Sequence, residues 1–258
     1  MSNEAEAEGL HTPIELSRAR ALIASVFAGA SYSDSISDSI EGTEELGVSR
    51  RGFTYGETGL LSTLALLRAA ELPSYCCKCG HGGLPDRRCT TCGLRPSGAA
   101  IVDLGSGIGN VVVGASLLVA AALVRASSVR GVELLPTLHR VATLAVADMH
   151  ARFSAAAASD LLRLPNALPL CDVCCADLGQ HDISDADVCY LCSTAFTIEL
   201  IAAWADHASR ALRPGSRAIT LSTPLCSPQF EVERCVRCEL SWGPEVAYVQ
   251  RRDRKSVV

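Results

Sequence analysis

The chain has 258 residues, of which 48% are hydrophobic, 20% are charged and only 5% are aromatic. This length suits one large globular domain with small additions, and the core must be built mainly from Ala, Val and Leu. The formal net charge of −5 and the pI of about 5.7 exclude a general basic field for nucleic acid. The polar, acidic N-terminus is unlike a signal peptide, and the longest apolar run, Val111 to Val124, is too short to span a bilayer. We therefore expect no membrane partner.

The first predicted element is a helix that begins at a capping box. Thr12-Pro-Ile-Glu15 places proline at the first helical position, and the helix is expected to run to about Ala28. A repeat of Asp-Ser-Ile over 33–40 follows and is typical of a linker. Residues 1–50 are thus predicted to form an N-terminal helix and a low-complexity linker, ahead of a domain over 51–254.

A second helix is predicted from Gly59 to about Leu72, and a cysteine-rich insert follows it at 74–97. The insert contains two Cys-x-x-Cys-Gly sequences, in which glycine lets backbone amides turn toward the thiolates. Four thiolates complete a tetrahedral zinc site and leave no position for water, so the spacing predicts a structural zinc knuckle. The predicted ligands are Cys76, Cys79, Cys89 and Cys92, with Cys77 and His81 as alternates. Free thiols in a loop are the other interpretation.

The most informative segment is Ile101-Val-Asp-Leu-Gly-Ser-Gly-Ile-Gly-Asn110, in which an apolar strand ends at Asp103 and a glycine-rich turn opens a helix. Such an order is typical of the first strand of a doubly wound sheet, whose ligand lies at the carboxyl end. The spacing is Gly-x-Gly-x-Gly rather than the Gly-x-Gly-x-x-Gly that cradles a pyrophosphate. Glu133 ends the next apolar run, where a carboxylate can accept both ribose hydroxyls. Together these features indicate an adenosyl ligand without a diphosphate, namely S-adenosylmethionine. A plain turn in another doubly wound protein is the alternative.

Alternating strands and helices continue to the end of the chain and predict an α/β fold. We expect a Rossmann-like, seven-stranded sheet of the S-adenosylmethionine-dependent methyltransferase type, with the zinc knuckle inserted and a helical segment before it. The predicted strands are 99–103, 128–134, 170–176, 187–191, 217–222, 230–240 and 245–250, and the predicted helices between them are 109–125, 136–157 and 197–212.

Further pairs of cysteines occur in two predicted strands, Cys171 with Cys174 and Cys235 with Cys238. This spacing places the members of a pair on opposite strand faces, and the two strands are expected to lie far apart in the sheet. Buried free thiols are therefore expected, and a second zinc site is the alternative.

Four stretches, in this order, resemble the non-SET histone lysine methyltransferases of the Dot-one type (disruptor of telomeric silencing). They are Tyr55-Gly-Glu-Thr58; Val102 to Gly109 with Gly131-Val-Glu133; Ala186 to Phe196; and Leu240 to Arg254. The resemblance covers roughly residues 50–254 apart from the zinc insert, which is not a feature of the family.

The resemblance implies a role for residues of each stretch. It implies that the cofactor is bound by Tyr55, Glu57, Thr58, Asp103, Gly105, Ser106, Gly107, Glu133, Asp177 and Leu178. It implies that the transfer site is formed by Cys192, Ser193 and Phe196, with Tyr248 as a wall of the lysine channel.

The chain also departs from the family pattern. Cys192 and Ser193 stand where the family has two adjacent asparagines, which puts substrate choice and the degree of methylation in doubt. Leu178 replaces an aromatic residue, so adenine stacking is expected to be weaker. The long basic stretch that grips nucleosomal DNA in some members is absent, and no strong nucleic-acid-binding patch is expected.

The predicted function is S-adenosylmethionine-dependent methylation of a protein lysine, most directly on core histone H-three in chromatin, with nuclear localisation by resemblance and cytoplasmic otherwise. Two alternatives stay open. One is a methyltransferase for a non-histone protein, favoured by the acidic pI. The other is a catalytically degenerate binding module that uses its zinc knuckle to contact a partner.

Overall fold

The structure is a computed structural model that describes residues 13–28, 58–70, 98–157, 163–241 and 243–253. The predicted linker and the zinc-knuckle ligands Cys76, Cys79, Cys89 and Cys92 lie outside the described residues, as do Tyr55 and Glu57. These predictions therefore stay predictions.

From residue 99 the described strands and helices alternate as far as the third strand, and the last three strands follow one another without a helix. The helices are α1 (Pro13–Phe27), α2 (Leu60–Ala69), α3 (Asn110–Ala120), α4 (Pro136–Ala157) and α5 (Ile198–Ala211), with a short 3-10 helix at Ser193–Ala195. The strands are β1 (Ala99–Leu104), β2 (Ala126–Glu133), β3 (Leu170–Cys175), β4 (Val188–Leu191), β5 (Arg217–Leu221), β6 (Phe230–Leu240) and β7 (Gly243–Arg252). No described helix is both long and apolar enough to cross a membrane.

All the strands form one seven-stranded sheet in the order β3-β2-β1-β4-β5-β7-β6. β1 to β5 are parallel, and β7 is antiparallel to both β5 and β6. The strand order reverses between β1 and β4, and in doubly wound sheets a ligand crevice opens at the carboxyl ends on either side of such a point. The glycine-rich turn after β1 lies at this place. The predicted seven-stranded α/β sheet is confirmed.

Two apolar layers cover the sheet. The larger contains α1 to α4 packed on one face, which we call the α3 face, and the smaller contains α5 on the other, the α5 face. β1 and β4 are buried along their whole length, as expected of central parallel strands. Helix α3 is buried on nearly every side, which explains why its sequence has no polar stripe.

The cysteine pairs are placed partly as expected. Cys171 and Cys174 contact opposite apolar layers, and their strand, β3, lies at the other edge of the sheet from β6. The expectation of burial is confirmed for Cys238 and wrong for Cys235, which is exposed on the edge strand β6. Cys171 and Cys174, on the opposite edge strand, are only half-buried. Among the described residues, no group of His, Cys, Asp and Glu side chains is arranged to hold a metal ion.

Candidate functional site

The glycine-rich turn after β1 depends on backbone conformations that other residues rarely adopt. Gly105, Gly107 and Gly109 have φ values of +73°, +54° and +89°. The turn is held on the neighbouring strand because the amides of Gly105 and Ser106 both donate to the carbonyl of Val132, at 2.8 and 3.0 Å. The backbone of the turn is thereby fixed, and Gly105 and Gly107 contribute no side chain to it.

Two carboxylates meet beneath this turn. Asp103 is 2% exposed and Glu133 is 5% exposed. Burial, and after it the neighbouring Glu133 charge, raises the pKa of Asp103 to about 8. Burial also raises the pKa of Glu133, although hydrogen bonds from the backbone amides of Leu135 and Gly107 act in the opposite direction. The pair gives this part of the structure a strong preference for a positively charged ligand.

Glu133 is oriented by the backbone around it. The amide of Gly107 donates to Oε2 at 2.8 Å, and the amide of Leu135 donates to Oε1 at 2.8 Å. Each carboxylate oxygen keeps capacity for a further donor. Asp103 and Glu133 lie on adjacent parallel strands, and the charge of Glu133 acts on Asp103, so the predicted proximity of the two carboxylates is present in the structure.

The loop after β4 reaches the same edge of the sheet. A side chain placed on Gly105 would meet Cζ of Phe196 at 3.5 Å, so the Phe196 ring stands directly beside the turn. Cys192 is near Asp103, whose charge is among the influences on its thiol. Burial, the largest influence, raises the pKa of Cys192 to about 11, so the thiol stays protonated at neutral pH and does not act as a base.

Ser193 binds the protein itself. Its Oγ donates to the carbonyl of Leu221 at 2.5 Å and accepts from the Leu221 amide at 3.2 Å. Its side chain is buried and joins the loop after β4 to the end of β5. The geometry thus gives Ser193 a structural contact, and its predicted place in the transfer site stays a prediction.

The remaining predicted cofactor residues lie around the edge. Ser106 is buried, and its Oγ lies 2.7 Å from the position that a Cβ on Gly131 would occupy. Asp177 is exposed and accepts from the Gly179 amide at 2.8 Å and from Nε2 of Gln180 at 3.1 Å. Leu178, beside it, packs against the apolar layer of the α5 face.

The structure does not bring Tyr248 to the side of the sheet that carries Asp103. Tyr248 pairs with Thr220 of β5, whereas the next residue, Val249, pairs with Ile219 and belongs to the α3 face. Because successive residues of a strand point to opposite faces, Tyr248 is on the α5 face. Asp103 pairs with Tyr190 of β4, which belongs to the α3 face.

Sequence reasoning missed Tyr190 as a site residue. Its side chain is 2% exposed, it neighbours Asp103 across the sheet, and its hydroxyl hydrogen-bonds Oγ1 of Thr58. Thr58 in turn forms an isolated antiparallel bridge with Leu240 of β6. Only its strand position, opposite Asp103, would have pointed to Tyr190, and that requires the strand register.

The chain matches no known protein family and no curated protein. It is similar to solved structures at low identity. One is an RNA methyltransferase from Salinibacter ruber in complex with S-adenosyl-L-homocysteine, at 16% identity and a TM-score of 0.47, covering 78% of this chain and 95% of that one. Another is TrmN from Thermus thermophilus, at 17% identity and a TM-score of 0.46, covering 75% of this chain and 48% of that one. A third is a glutamate-to-glutamine mutant of MtNAS in complex with S-adenosylmethionine, at 13% identity and a TM-score of 0.47, covering 93% of this chain and 72% of that one. Similarity at this level assigns neither a substrate nor an activity to this chain.

Proposed function

We propose that the chain is an S-adenosylmethionine-dependent protein-lysine methyltransferase, acting on a lysine of a core histone such as histone H-three. The observation that carries the proposal is the buried pair Asp103 and Glu133 beneath a glycine turn whose spacing differs from that of diphosphate-binding motifs. A nucleoside that also bears positive charge satisfies both features at once.

The residues present fit an S-adenosyl group. Gly105 and Gly107 leave the turn bare, and the Phe196 ring bounds the space above Gly105. Glu133 is held by two amides and keeps lone pairs for ribose hydroxyls. Asp103, buried beside it, favours the cationic end of the ligand.

S-adenosylmethionine supplies a methyl group on a positively charged sulfur. A lysine amine attacks only when it is deprotonated, and its ordinary pKa is about 10.4. Removal from water and a neighbouring positive charge both lower that pKa, so no strong protein base is needed. The lysine ammonium would first lose one proton to solvent, and the neutral nitrogen would then bond the methyl carbon as the sulfur–carbon bond breaks, which leaves a methylammonium group and a neutral thioether. Phe196 excludes water beside the turn, and Cys192 adds a neutral wall.

The charge of the described edge favours a basic protein over a nucleic acid as the acceptor. The described loops at the carboxyl ends of β1 to β5, residues 105–109, 134–135, 176–180, 192–197 and 222–229, contain no lysine or arginine. Acidic side chains lie in or next to these loops instead, including exposed Asp177 and Glu199. Phosphates are repelled by such an edge and cationic segments are attracted.

The test is methyl transfer from labelled S-adenosylmethionine to nucleosomes, free histones, a non-histone protein extract and total RNA in parallel. We expect label in histone protein, recovered as methyl-lysine after hydrolysis, and loss of transfer in Asp103→Ala. Asp172→Ala is the matched control, because Asp172 is an exposed acid on the edge strand β3 and should leave transfer unchanged.

Each outcome decides between specific alternatives. Label in the non-histone extract alone selects a different protein substrate. Label in RNA alone contradicts a protein acceptor. Binding of S-adenosylmethionine without transfer to any fraction selects the degenerate binding module, in which the predicted zinc knuckle of Cys76, Cys79, Cys89 and Cys92 would contact the partner.

A further inference from the structure

One row of residues crosses the sheet on the α3 face through Asp103. Strand register places Gly131 of β2 on one side of Asp103 and Tyr190 of β4 on the other, followed by Ile219 of β5 and Val249 of β7. Neighbours in such a row lie about 4.8 Å apart and point the same way. The side chains beside Asp103 therefore form the walls of whatever space it faces.

The two neighbours of Asp103 differ in kind. Gly131 has no side chain, and the space it leaves is filled by Ser106 and Val112, whose atoms lie 2.7 to 3.0 Å from where a Cβ would stand. Tyr190 is the only residue of the row with both a ring and a hydroxyl. On the β4 side of Asp103, the neighbouring surface is therefore formed by the ring and the hydroxyl of Tyr190.

The hydroxyl of Tyr190 is already engaged. It shares a hydrogen bond with Oγ1 of Thr58, and both side chains are buried, at 2% and 6% exposure. Burial raises the pKa of Tyr190 well above its ordinary value, so the hydroxyl keeps its proton across the physiological range. Two hydroxyls share one hydrogen bond, so a second hydroxyl hydrogen remains to be donated elsewhere.

The backbone of Thr58 contacts the sheet at its edge strand β6. It bridges Leu240 of β6, and it directly precedes Gly59, the N-cap of α2. The Tyr190 bond therefore attaches the chain entering α2 to the central strand next to Asp103.

We propose that Tyr190 is a positioning residue of the methyl-donor site, whose hydroxyl holds Thr58 against the sheet and so completes the wall beside Asp103. This inference rests on the proposed function, because it assigns Asp103 to the cationic end of S-adenosylmethionine. Tyr190 acts through Thr58 and Asp103, and it takes no part in the bond changes.

The test is calorimetric binding of S-adenosylmethionine to the full chain and to Tyr190→Phe, Thr58→Val and the double variant. Each single variant is expected to bind about tenfold more weakly, the change that corresponds to one buried hydrogen bond. The double variant is expected to lose no more than either single variant, since both remove the same bond. Thr58→Ser keeps the hydroxyl and should restore most of the affinity.

Thr220→Val is the matched control. Thr220 is fully buried in the same sheet on the α5 face, and its Oγ1 has no hydrogen-bond partner among the described residues. Its removal should leave the affinity unchanged. If Tyr190→Phe fails to fold, Thr58→Val alone decides, because it removes the same hydrogen bond from the other side.

The possible failures are distinguishable. If the unaltered chain binds S-adenosylmethionine and both hydroxyl deletions bind it equally well, the positioning role is wrong and the proposed function stands. Additive losses in the double variant also overturn the role, because they show two independent effects. If the unaltered chain binds no S-adenosylmethionine, the proposed function and this inference both fail.

Discussion

At the scale of single residues, Asp103 is a buried carboxyl group whose pKa lies far above its ordinary value. Removing a carboxylate from water disfavours its charged form, and the second acid, Glu133, adds repulsion, so the pKa of Asp103 rises from 3.8 to about 8. The folded, ligand-free protein therefore carries a proton on Asp103 at neutral pH. A cationic ligand reverses this preference, and its binding expels the proton.

The pH dependence of binding follows from this shift. Affinity for S-adenosylmethionine is expected to fall by about tenfold for each pH unit below the Asp103 pKa of about 8. Calorimetry at pH 7 in buffers of different ionisation enthalpy should show proton release by the unaltered chain. Asp103→Asn should release fewer protons when it binds S-adenosylmethionine. Because the ligand is the same in both measurements, the difference excludes protons that come from the ligand. Equal proton release by both proteins contradicts the assignment.

The same shift affects stability without ligand. Because the folded pKa lies above the unfolded one, the folded state binds the extra proton between about pH 4 and 8, and stability falls as the pH rises through this window. Asp103→Asn removes the titration and should flatten this part of the stability curve.

At the scale of elements, the glycine turn is fitted to β2 through Gly131. A Cβ at Gly131 would stand 2.7 Å from Oγ of Ser106 and 3.0 Å from Cγ2 of Val112, which is closer than side chains tolerate. Because Gly131 has no side chain, the turn and the start of α3 can pack closely against β2. A larger residue at this position would displace the turn from the sheet.

Gly131→Ala is therefore expected to destabilise the protein by about 1–3 kcal/mol and to weaken S-adenosylmethionine binding. Gly114→Ala is the control, because a Cβ there meets only Leu60 and Ile23 at 3.6 and 3.9 Å. Alanine is the better helix former by about 0.8–1.0 kcal/mol, so this variant should be at least as stable and bind normally. Thermal unfolding and calorimetry measure both effects, and normal binding by Gly131→Ala would contradict the proposed fit.

The element scale also shows what the sequence can and cannot predict. Helix 136–157 has the predicted bounds, because a proline start and apolar residues at helical spacing are local signals. The carboxylates Asp103 and Glu133 were also predictable, since each ends an apolar strand. The sheet face of Tyr248 could not be predicted, because it depends on the pairing of Tyr248 with Thr220, and its role as a channel wall stays a prediction. Strand register is a long-range property that no local pattern contains.

The Tyr190 and Thr58 bond was beyond prediction for the same reason. The two residues are 132 positions apart, and although the Thr58 segment is predicted to bind the cofactor, no local pattern connects it with Tyr190. Their contact depends on the order β1-β4 in the sheet and on where the chain enters α2. Site residues at strand ends, such as Asp103 and Glu133, can be predicted from the sequence. Contacts between distant segments, such as that of Tyr190 with Thr58, cannot.

At the scale of the whole molecule, charge is divided between the two ends of the parallel strands. At the amino end of β5, Arg217 pairs with Glu233 at 3.0 Å, and Arg251 pairs with the same carboxylate at 2.7 Å. Asp103 and Glu133 lie at the carboxyl ends. This edge therefore attracts cations through the exposed acids Asp177 and Glu199 and through Asp103, which loses its proton when a cation binds, although the net charge is only −5.

Ligand binding at that edge should stabilise the entire fold, because the turn, β1, β2 and β4 all belong to one sheet. At a ligand concentration of about 100 times Kd the gain is about 2.7 kcal/mol, which corresponds to a Tm increase of roughly 5–10 °C for a chain of this size. NAD is the control ligand, since the Gly-x-Gly-x-Gly spacing does not suit a pyrophosphate. A larger Tm increase with NAD than with S-adenosylmethionine would contradict the proposed ligand.

The two hydrogen bonds that backbone amides donate to Glu133 have a consequence for the rate of ligand binding. A free glutamate side chain samples many rotamers and must give up that freedom when it captures a sugar. Here the backbone amides of Gly107 and Leu135 hold the Glu133 side chain in one rotamer. The Glu133 side chain therefore loses its rotamer entropy during folding and not when the ligand binds. A nucleoside can bind without rearrangement of this carboxylate.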